Sequence, residues 1–151
     1  MNREVGAIMH YVYTQFPVKM YNRELPERFQ VPSIYIPPVS AMSGPDTVST
    51  FMKTYSLHVK LFHHDSEKAF DTAETIVDAL NADRNMIQMV SEKGQWLNDY
   101  IRIKRVETRS GDQGVATIVL TWDSTYWYNR DKHLSLEDVY FSDGVIKNEQ
   151  N

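Results

Sequence analysis

The chain has no cysteine among its 151 residues, so disulfide bonds, thiolate metal ligands and a cysteine nucleophile are all excluded. It also lacks the G-x-S-x-G and H-E-x-x-H patterns that mark common hydrolases and metalloproteases. No apolar run approaches the length of a membrane span, and the N-terminal region has no signal-peptide core. We therefore expect a soluble protein without a cofactor, made and used inside a cell or packed into a particle assembled there.

The composition is that of a folded globular domain. Hydrophobic residues make up 42% and charged residues 24% of the chain, and its six glycines and six prolines are scattered rather than pooled. We expect a single domain over residues 1–151, with its last few residues frayed. The 16 basic and 20 acidic side chains give a net charge of -4, the wrong sign for a protein that coats nucleic acid.

Apolar spacing predicts two helices. In residues 3–16 apolar side chains recur every three or four positions, and Pro17 ends the pattern. A second helix begins after Asp65 or Ser66, either of which can act as its N-cap. The apolar stripe of this second helix consists of Ala69, Phe70, Ala73, Ile76, Val77 and Leu80.

Alternating or β-rich segments predict the strands, which cover residues 31–36, 53–62, 86–90, 100–108 and 115–122. Pro37 and Pro38 stop the first strand, which should lie at an edge or leave the sheet there. The third should complete a strand, helix, strand unit with the second. The fourth loses its alternation at Lys104 and Arg105, where a bulge would restore register. We expect an α+β fold, a mostly antiparallel sheet with two main helices packed on one face, in the order α-β-β-α-β-β-β.

Two polar segments lie between these elements. Residues 40–50 collect small and turn-forming residues, with Gly44-Pro45-Asp46 as the tightest turn, and are predicted to be an exposed, mobile loop. Residues 109–114 join two strands and do not open a helix, so they are predicted to form a hairpin loop and not a phosphate-binding loop.

Aromatic residues crowd near the end of the chain. They are Trp122, Tyr126, Trp127, Tyr128, Tyr140 and Phe141. Tyr and Trp are enriched where proteins meet because their rings are apolar on one side and polar at the tip. We expect about half of these rings in the core and the rest at a subunit interface.

Side chains suited to acid-base or metal chemistry are few. His63, His64 and Asp65 are the obvious group, but neighbours in a strand face opposite sides, so polar edge and capping roles are expected for them. The carboxylates of Asp71 and Glu74 fit a solvent-facing side of the second helix. We therefore predict no catalytic residues and no metal site.

Arg102, Lys104, Arg105 and Arg109 form the only basic cluster of the sequence. Strand alternation places Arg102 and Lys104 on one face of the same predicted strand. Such a row can contact phosphates or an acidic partner, although strand charges that prevent edge aggregation are more common.

From residue 51 to 122 the order of elements becomes specific. The alternating strand TYSLHVKLFHHD is followed by the capped amphipathic helix SEKAFDTAETIVDALN and then by the closing strands. This pattern resembles the phage tail terminator, or tail completion, proteins. The resemblance implies a structural virion protein, not an enzyme, which closes as a hexameric ring on the last ring of the tail tube and ends tube polymerisation.

The same resemblance implies the surroundings of the protein. It would belong to the tail or neck of a virion, prophage particle or phage-tail-like particle assembled in the host cytoplasm. Its partners would be copies of itself, the tail tube protein and the head-tail connector protein, for which it forms the docking surface. DNA would pass through the channel of the ring, and no membrane would be involved.

A closed ring requires that one surface of each copy match a different surface of the next copy. We assign the polar protrusions to contacts with neighbouring copies or axial partners, and Arg102 and Lys104 to ion pairs between subunits or to the DNA channel. The interface candidates are Ser43, Gly44, Pro45, Asp46, Arg102, Lys104, Arg109, Asp112, Trp127 and Tyr128.

Two alternatives remain open at this stage. One is a different ring-forming component, such as a head-tail connector or a tail tube protein, which has a similar small α+β architecture. The other is a small hydrolase or ligand-binding domain that uses His63, His64 and a carboxylate brought close by folding.

Overall fold

The structure, a computed structural model, describes residues 3–128 of the chain. Its helices and strands are α1 (Arg3–Gln15), β1 (Lys19–Asn22), β2 (Ser33–Ile36), β3 (Ser40–Pro45), β4 (Thr50–Phe62), α2 (Ser66–Ala82), β5 (Met86–Val90), β6 (Trp96–Arg102), β7 (Arg105–Ser110) and β8 (Val115–Trp127). The expected frayed end and the rings of Tyr140 and Phe141 lie outside the described residues.

The strands of residues 3–128 form a larger and a smaller sheet. In the larger sheet the order is β1-β2-β4-β8-β7, and β3 also pairs with β4; β5 and β6 pair with each other separately. Every pairing is antiparallel except that of β1 with β2. The predicted α+β fold with a mostly antiparallel sheet is therefore confirmed.

The long ladder between β4 and β8 forms the centre of the molecule. It runs from Thr50 opposite Trp127 to Phe62 opposite Val115. As the alternation predicted, one face of β4 is buried, and it packs with the helices and with β8 into one core. The fully buried residues of this core include Leu57, Val59, Leu61, Ala69, Ala73, Ala116 and Trp122.

Both predicted helices are present. The side chain of Asp65 caps α2 by accepting a hydrogen bond of 2.8 Å from the Lys68 amide, which satisfies one of the free donors of the first turn. α2 packs on β8, β7 and β4, while α1 packs against β5 and α2. Neither helix of the described part is long and apolar enough to cross a membrane.

The predicted loop over residues 40–50 is wrong in its first half. Residues 40–45 form β3, which pairs with β4 from Ser40 opposite Ser56 to Pro45 opposite Phe51. β2 pairs further along the same edge of β4, so Pro37 and Pro38 interrupt one line of pairing, as expected of residues without an amide hydrogen. β4 is long enough to support both segments, which overrides the low strand propensity of serine, glycine and proline.

The predicted strand over residues 100–108 is also wrong, because it is two strands. β6 pairs with β5, and β7 pairs with β8. Between them the Ile103 amide donates to the Asn85 carbonyl and the Lys104 amide donates to the Thr121 carbonyl. The lost alternation therefore marks the point where the chain changes sheets, not a bulge. β5 pairs with β6 in the smaller sheet, so it does not complete a strand, helix, strand unit with β4.

Candidate assembly surfaces

The free ends of β3, β4 and β8 form a three-stranded extension, here named the arm and defined as residues 40–54 and 123–128. Across the arm, Pro45 lies opposite Phe51 and Phe51 lies opposite Tyr126. The strict burial of alternate residues in β4 begins only at Tyr55, so most of the arm is half-buried or exposed. The arm is therefore less buried than the centre of the sheet.

Three large apolar side chains lie among polar residues on one face of the arm. Met42 lies opposite Thr54, and Trp127 lies opposite Thr50. Because alternate residues of a strand share a face, Met42, Met52 and Trp127 lie on the same side. Met42 is 77% exposed and Trp127 is 68% exposed. Exposed apolar side chains gathered on one sheet face are typical of protein contact surfaces.

The opposite face of the arm is an aromatic cluster. The ring of Phe51 lies 5.5 Å from that of Tyr126 and 5.3 Å from that of Tyr128. The hydroxyls of Tyr126 and Tyr55 share a hydrogen bond of 2.8 Å, and the Lys53 ammonium lies 5.5 Å from the centre of the Tyr126 ring. These contacts hold the arm to the core.

The turn at the tip of the arm is hydrogen-bonded throughout. The amides of Asp46 and Thr47 both donate to the Thr50 carbonyl, and the Thr50 hydroxyl donates to the Asp46 carboxylate at 3.1 Å. The Tyr128 amide donates to the Ser49 carbonyl at 2.9 Å. Val48, at the tip, is fully exposed. The arm is therefore an ordered projection that ends in an apolar side chain.

The structure brings two groups of predicted interface residues together on this arm. Ser43, Gly44 and Pro45 lie on β3, and Asp46 begins the turn, while Trp127 and Tyr128 come from the far end of the chain. The sequence carries no signal for this proximity, because it depends on the register of β4 against β8.

The hairpin of residues 109–114 lies at the other end of β8 and is fixed to its own molecule. The Gly114 amide donates to the Ser66 hydroxyl at 3.0 Å, and the His63 amide donates to the Gly114 carbonyl at 2.8 Å. Arg109 forms an ion pair of 2.6 Å with Glu107, and this hydrogen bond lowers the pKa of the Glu107 carboxyl. Arg109 and Asp112 are exposed but distant from the arm along the strand.

The predicted row of Arg102 and Lys104 on one strand is wrong. Arg102 ends β6, where it lines an open cleft of about 530 Å³. Lys104 lies in the link to β7 and its ammonium is 3.2 Å from the Asp123 carboxylate. The Thr54 hydroxyl donates to Asp123 at 2.7 Å and, with Lys104, lowers the pKa of that carboxyl. Lys104 is thus paired within its own chain.

His63, His64 and Asp65 have local roles, as expected. The His63 ring stacks on Phe16 with 6.1 Å between centres, and its Nδ1 accepts a hydrogen bond from the His64 amide. Burial, together with the charges of His64 and Lys68, lowers the pKa of His63. Asp65 is engaged as the helix cap. Within residues 3–128 no group of three or more His, Cys, Asp or Glu side chains could hold a metal ion.

Sequence reasoning missed an aromatic cleft between α1 and the smaller sheet. It has a volume of about 340 Å³ and is lined in part by Tyr11, Asp83, Trp96 and Tyr100. Trp96 is 61% exposed and its ring meets that of His10 edge-on at 5.2 Å. The Tyr11 hydroxyl donates to Asp83 at 2.9 Å; burial, and then this bond, raise the pKa of Tyr11. The available signal was a tryptophan two residues after the turn at Gly94.

Comparison with known proteins gives relatives of the chain as a whole. No family model matches the chain. A chain in a solved virion of a native gene transfer agent particle aligns over 85% of this chain and 100% of its own length, with a TM-score of 0.44 and 13% identity, which is too distant to bear on function.

Two curated proteins of Bacillus subtilis (strain 168) are much more similar. They are the phage-like element PBSX protein XkdJ and the uncharacterized protein YqbJ, each 49% identical over 145 residues, which covers 96% of this chain and 99% of each relative. The chain described here therefore belongs to the same protein family as the phage-element protein XkdJ.

Proposed function

We propose that this protein is a non-enzymatic structural component of a tailed phage or phage-tail-like particle. In this proposal it forms a ring of six copies on the last ring of the tail tube, ends tube polymerisation and presents the docking surface for the head connector. The observation that carries the proposal is the arm, an ordered three-stranded extension that exposes Met42, Val48 and Trp127. The family relationship to a protein of a phage-like element supports the particle context.

The local chemistry agrees with a structural role. His63, Asp65 and Ser66 are occupied in stacking, in capping α2 and in holding the hairpin of residues 109–114. Asp123, which lines the largest of the clefts described above, is bound by Lys104 and Thr54. These polar side chains position elements of the fold, whereas the three most exposed large hydrophobic side chains of residues 3–128 lie on the arm.

The experiment is tube assembly in the presence of the protein. A tail tube protein from the same phage or phage-like element is allowed to polymerise with increasing amounts of the purified chain, and tube lengths are measured by negative-stain microscopy. We expect shorter tubes, each with a ring-shaped density at one end. Unchanged tube lengths and bare ends would reject the proposal, and long tubes formed by this chain alone would make it a tube protein instead.

A matched pair of variants assigns the effect to the arm. Trp127→Ser removes a large exposed ring from the arm, whereas Trp96→Ser removes a similarly exposed ring from the aromatic cleft between α1 and the smaller sheet. We expect Trp127→Ser to weaken capping at least tenfold, as loss of an aromatic anchor at an interface does. The Trp96→Ser variant should cap tubes as the parent does. Equal effects of the two variants would show that capping does not depend on the arm.

A further inference from the structure

Three border strands of the larger sheet, β1, β3 and β7, each pair on one side only within residues 3–128, and the edge of β3 is unusual among them. Within residues 3–128, β3 pairs only with β4, and β7 pairs only with β8. β3 contains no charged residue, and Met42 at its centre is 77% exposed. Proteins that remain monomeric protect exposed strand edges with charges, bulges or covering segments because unpaired amides and carbonyls recruit other strands. β3 has no charge of its own to protect it in this way.

The free edge of β7 is as long as that of β3 and runs in the opposite direction. β3 and β7 both have six residues. β3 and β8 are antiparallel to β4, and β7 is antiparallel to β8, so β3 and β7 run in opposite directions in one sheet. When a rotated copy extends the sheet, its β3 meets β7 as an antiparallel neighbour. Such a contact joins two different surfaces, the kind that generates rings.

We propose that β3 of each copy pairs with β7 of the next copy, so that the larger sheet continues from subunit to subunit around the ring. This inference rests on the proposed function, because it requires copies arranged about an axis. The occupant of the free edge is thus a second copy of this chain, bound by main-chain hydrogen bonds of the β-augmentation type.

The register of this pairing follows from the faces of the strands. Ser40, Met42 and Gly44 share the face of Thr54, while Arg105, Glu107 and Arg109 share the face of Thr121 and Val119. Both sets lie on the face opposite the buried Leu57 and Leu120. A slip of one residue would turn one strand over, so only even staggers are allowed. A stagger of four residues pairs Met42 with Glu107 and Ala41 with Thr108 of the next copy.

This stagger agrees with the geometry of closed sheets. Four residues correspond to about 14 Å along a strand, and the four strands β3, β4, β8 and β7 span about 19 Å across the sheet. The ratio tilts the strands by about 35° from the ring axis, within the range of about 35–45° found in barrels. Because the helices need more room, they lie outside, and the polar face with Ser56, His58 and Lys60 lines the channel.

Cysteine cross-linking tests the pairing without background because the chain has no cysteine of its own. In Ala41→Cys/Thr108→Cys the two cysteines of one molecule are about 20 Å apart, three strand spacings across the sheet and four residues along it, too far for a disulfide within the chain. The control Met42→Cys/Thr108→Cys places its two cysteines on opposite faces. In rings on tube ends we expect disulfide-linked multimers at least ten times more abundant for the first pair than for the control.

Two outcomes separate this inference from the proposed function. Capped tubes with no cross-links, or with equal cross-links in both double variants, would overturn the edge pairing and leave the capping function standing. Absence of capping and of self-association in the parent protein would overturn both.

A charge test provides a second readout. Met42→Glu places a carboxylate opposite Glu107 of the next copy, whereas Met42→Lys places an ammonium there. We expect Met42→Glu to raise the protein concentration needed for ring formation at least tenfold, Met42→Lys to raise it much less because its ammonium meets Glu107, and Met42→Glu/Glu107→Lys to restore it to the level of Met42→Lys. Equal effects of the two single variants would contradict the proposed register.

Discussion

At position 114 both the backbone conformation and the packing require glycine. It adopts a φ of 73° and a side-chain Cβ there would approach the His63 carbonyl oxygen to 2.5 Å, a backbone atom that cannot move aside. We predict that Gly114→Ala lowers the free energy of unfolding by at least about 2 kcal/mol, measured by urea denaturation. In the control, Gly6→Ala has nothing within 4 Å and lies in α1, so it should stabilise by up to about 1 kcal/mol. Equal stabilities of the Gly114→Ala variant and the parent would contradict the described approach of the hairpin to His63.

Tyr11 gives a pH-dependent prediction. Burial, the hydrogen bond to Asp83 and the charge of that carboxylate raise the pKa of Tyr11 above its ordinary value near 10.0. The unfolded chain therefore releases this proton at a lower pH than the folded chain. The stability that the protonated Tyr11 contributes is fully present below pH 10 and is lost as the pH rises above 10. We predict that Tyr11→Phe makes the unfolding free energy decline less steeply above pH 10 in urea titrations.

The control for this prediction is Tyr13→Phe, which changes an exposed tyrosine on the same helix. Its profile above pH 10 should follow that of the parent. If Tyr11→Phe and the parent lose stability with the same slope, burial and the hydrogen bond to Asp83 do not govern the titration of Tyr11.

At the scale of elements, the cap of α2 links helix formation to the hairpin of residues 109–114. Asp65 caps the helix, and the next residue, Ser66, holds the Gly114 amide. We predict that Asp65→Ala lowers the free energy of unfolding by about 1 kcal/mol, since the Lys68 amide loses its partner. Asp71→Ala, on the exposed side of the same helix, should stay within about 0.5 kcal/mol of the parent. Chemical denaturation of the two variants side by side measures the difference, and equal losses would exclude capping as its cause.

The elements that could be predicted from the sequence are those whose own residues carry a strong period. α1, α2 and β4 present continuous apolar faces, so their buried sides follow from spacing alone. β3 could not be predicted because its serine, glycine and proline residues favour turns, and it becomes a strand only by pairing with β4. β1 has four residues and pairs with β2, again a partner that spacing does not identify.

The candidate surfaces show the same division. Exposed turn residues and clustered aromatic residues identified both halves of the arm, but only the ladder of β4 against β8 brings them together. The assignment of Arg102 and Lys104 to one strand failed because a change of sheet at Ile103 resembles a loss of alternation. Long-range pairing is thus the information that local patterns lack.

At the scale of the whole molecule, the arm and the free edges suit a protein whose surfaces are completed by other chains. The arm exposes apolar side chains near a hydrogen-bonded turn, and the free edges of β3 and β7 run in opposite directions. A ring joined by such edges is closed and finite, which distinguishes a cap from an open polymer.

The most direct test is the length of tails made by cells that lack this protein. Particles are induced from a strain in which the gene for this chain is deleted, and tail tubes are measured by electron microscopy beside those of the parent and the complemented strain. The account predicts tubes of variable and greater length that fail to join heads, with normal length restored by complementation. Tails of normal, uniform length that join heads without this protein would contradict it.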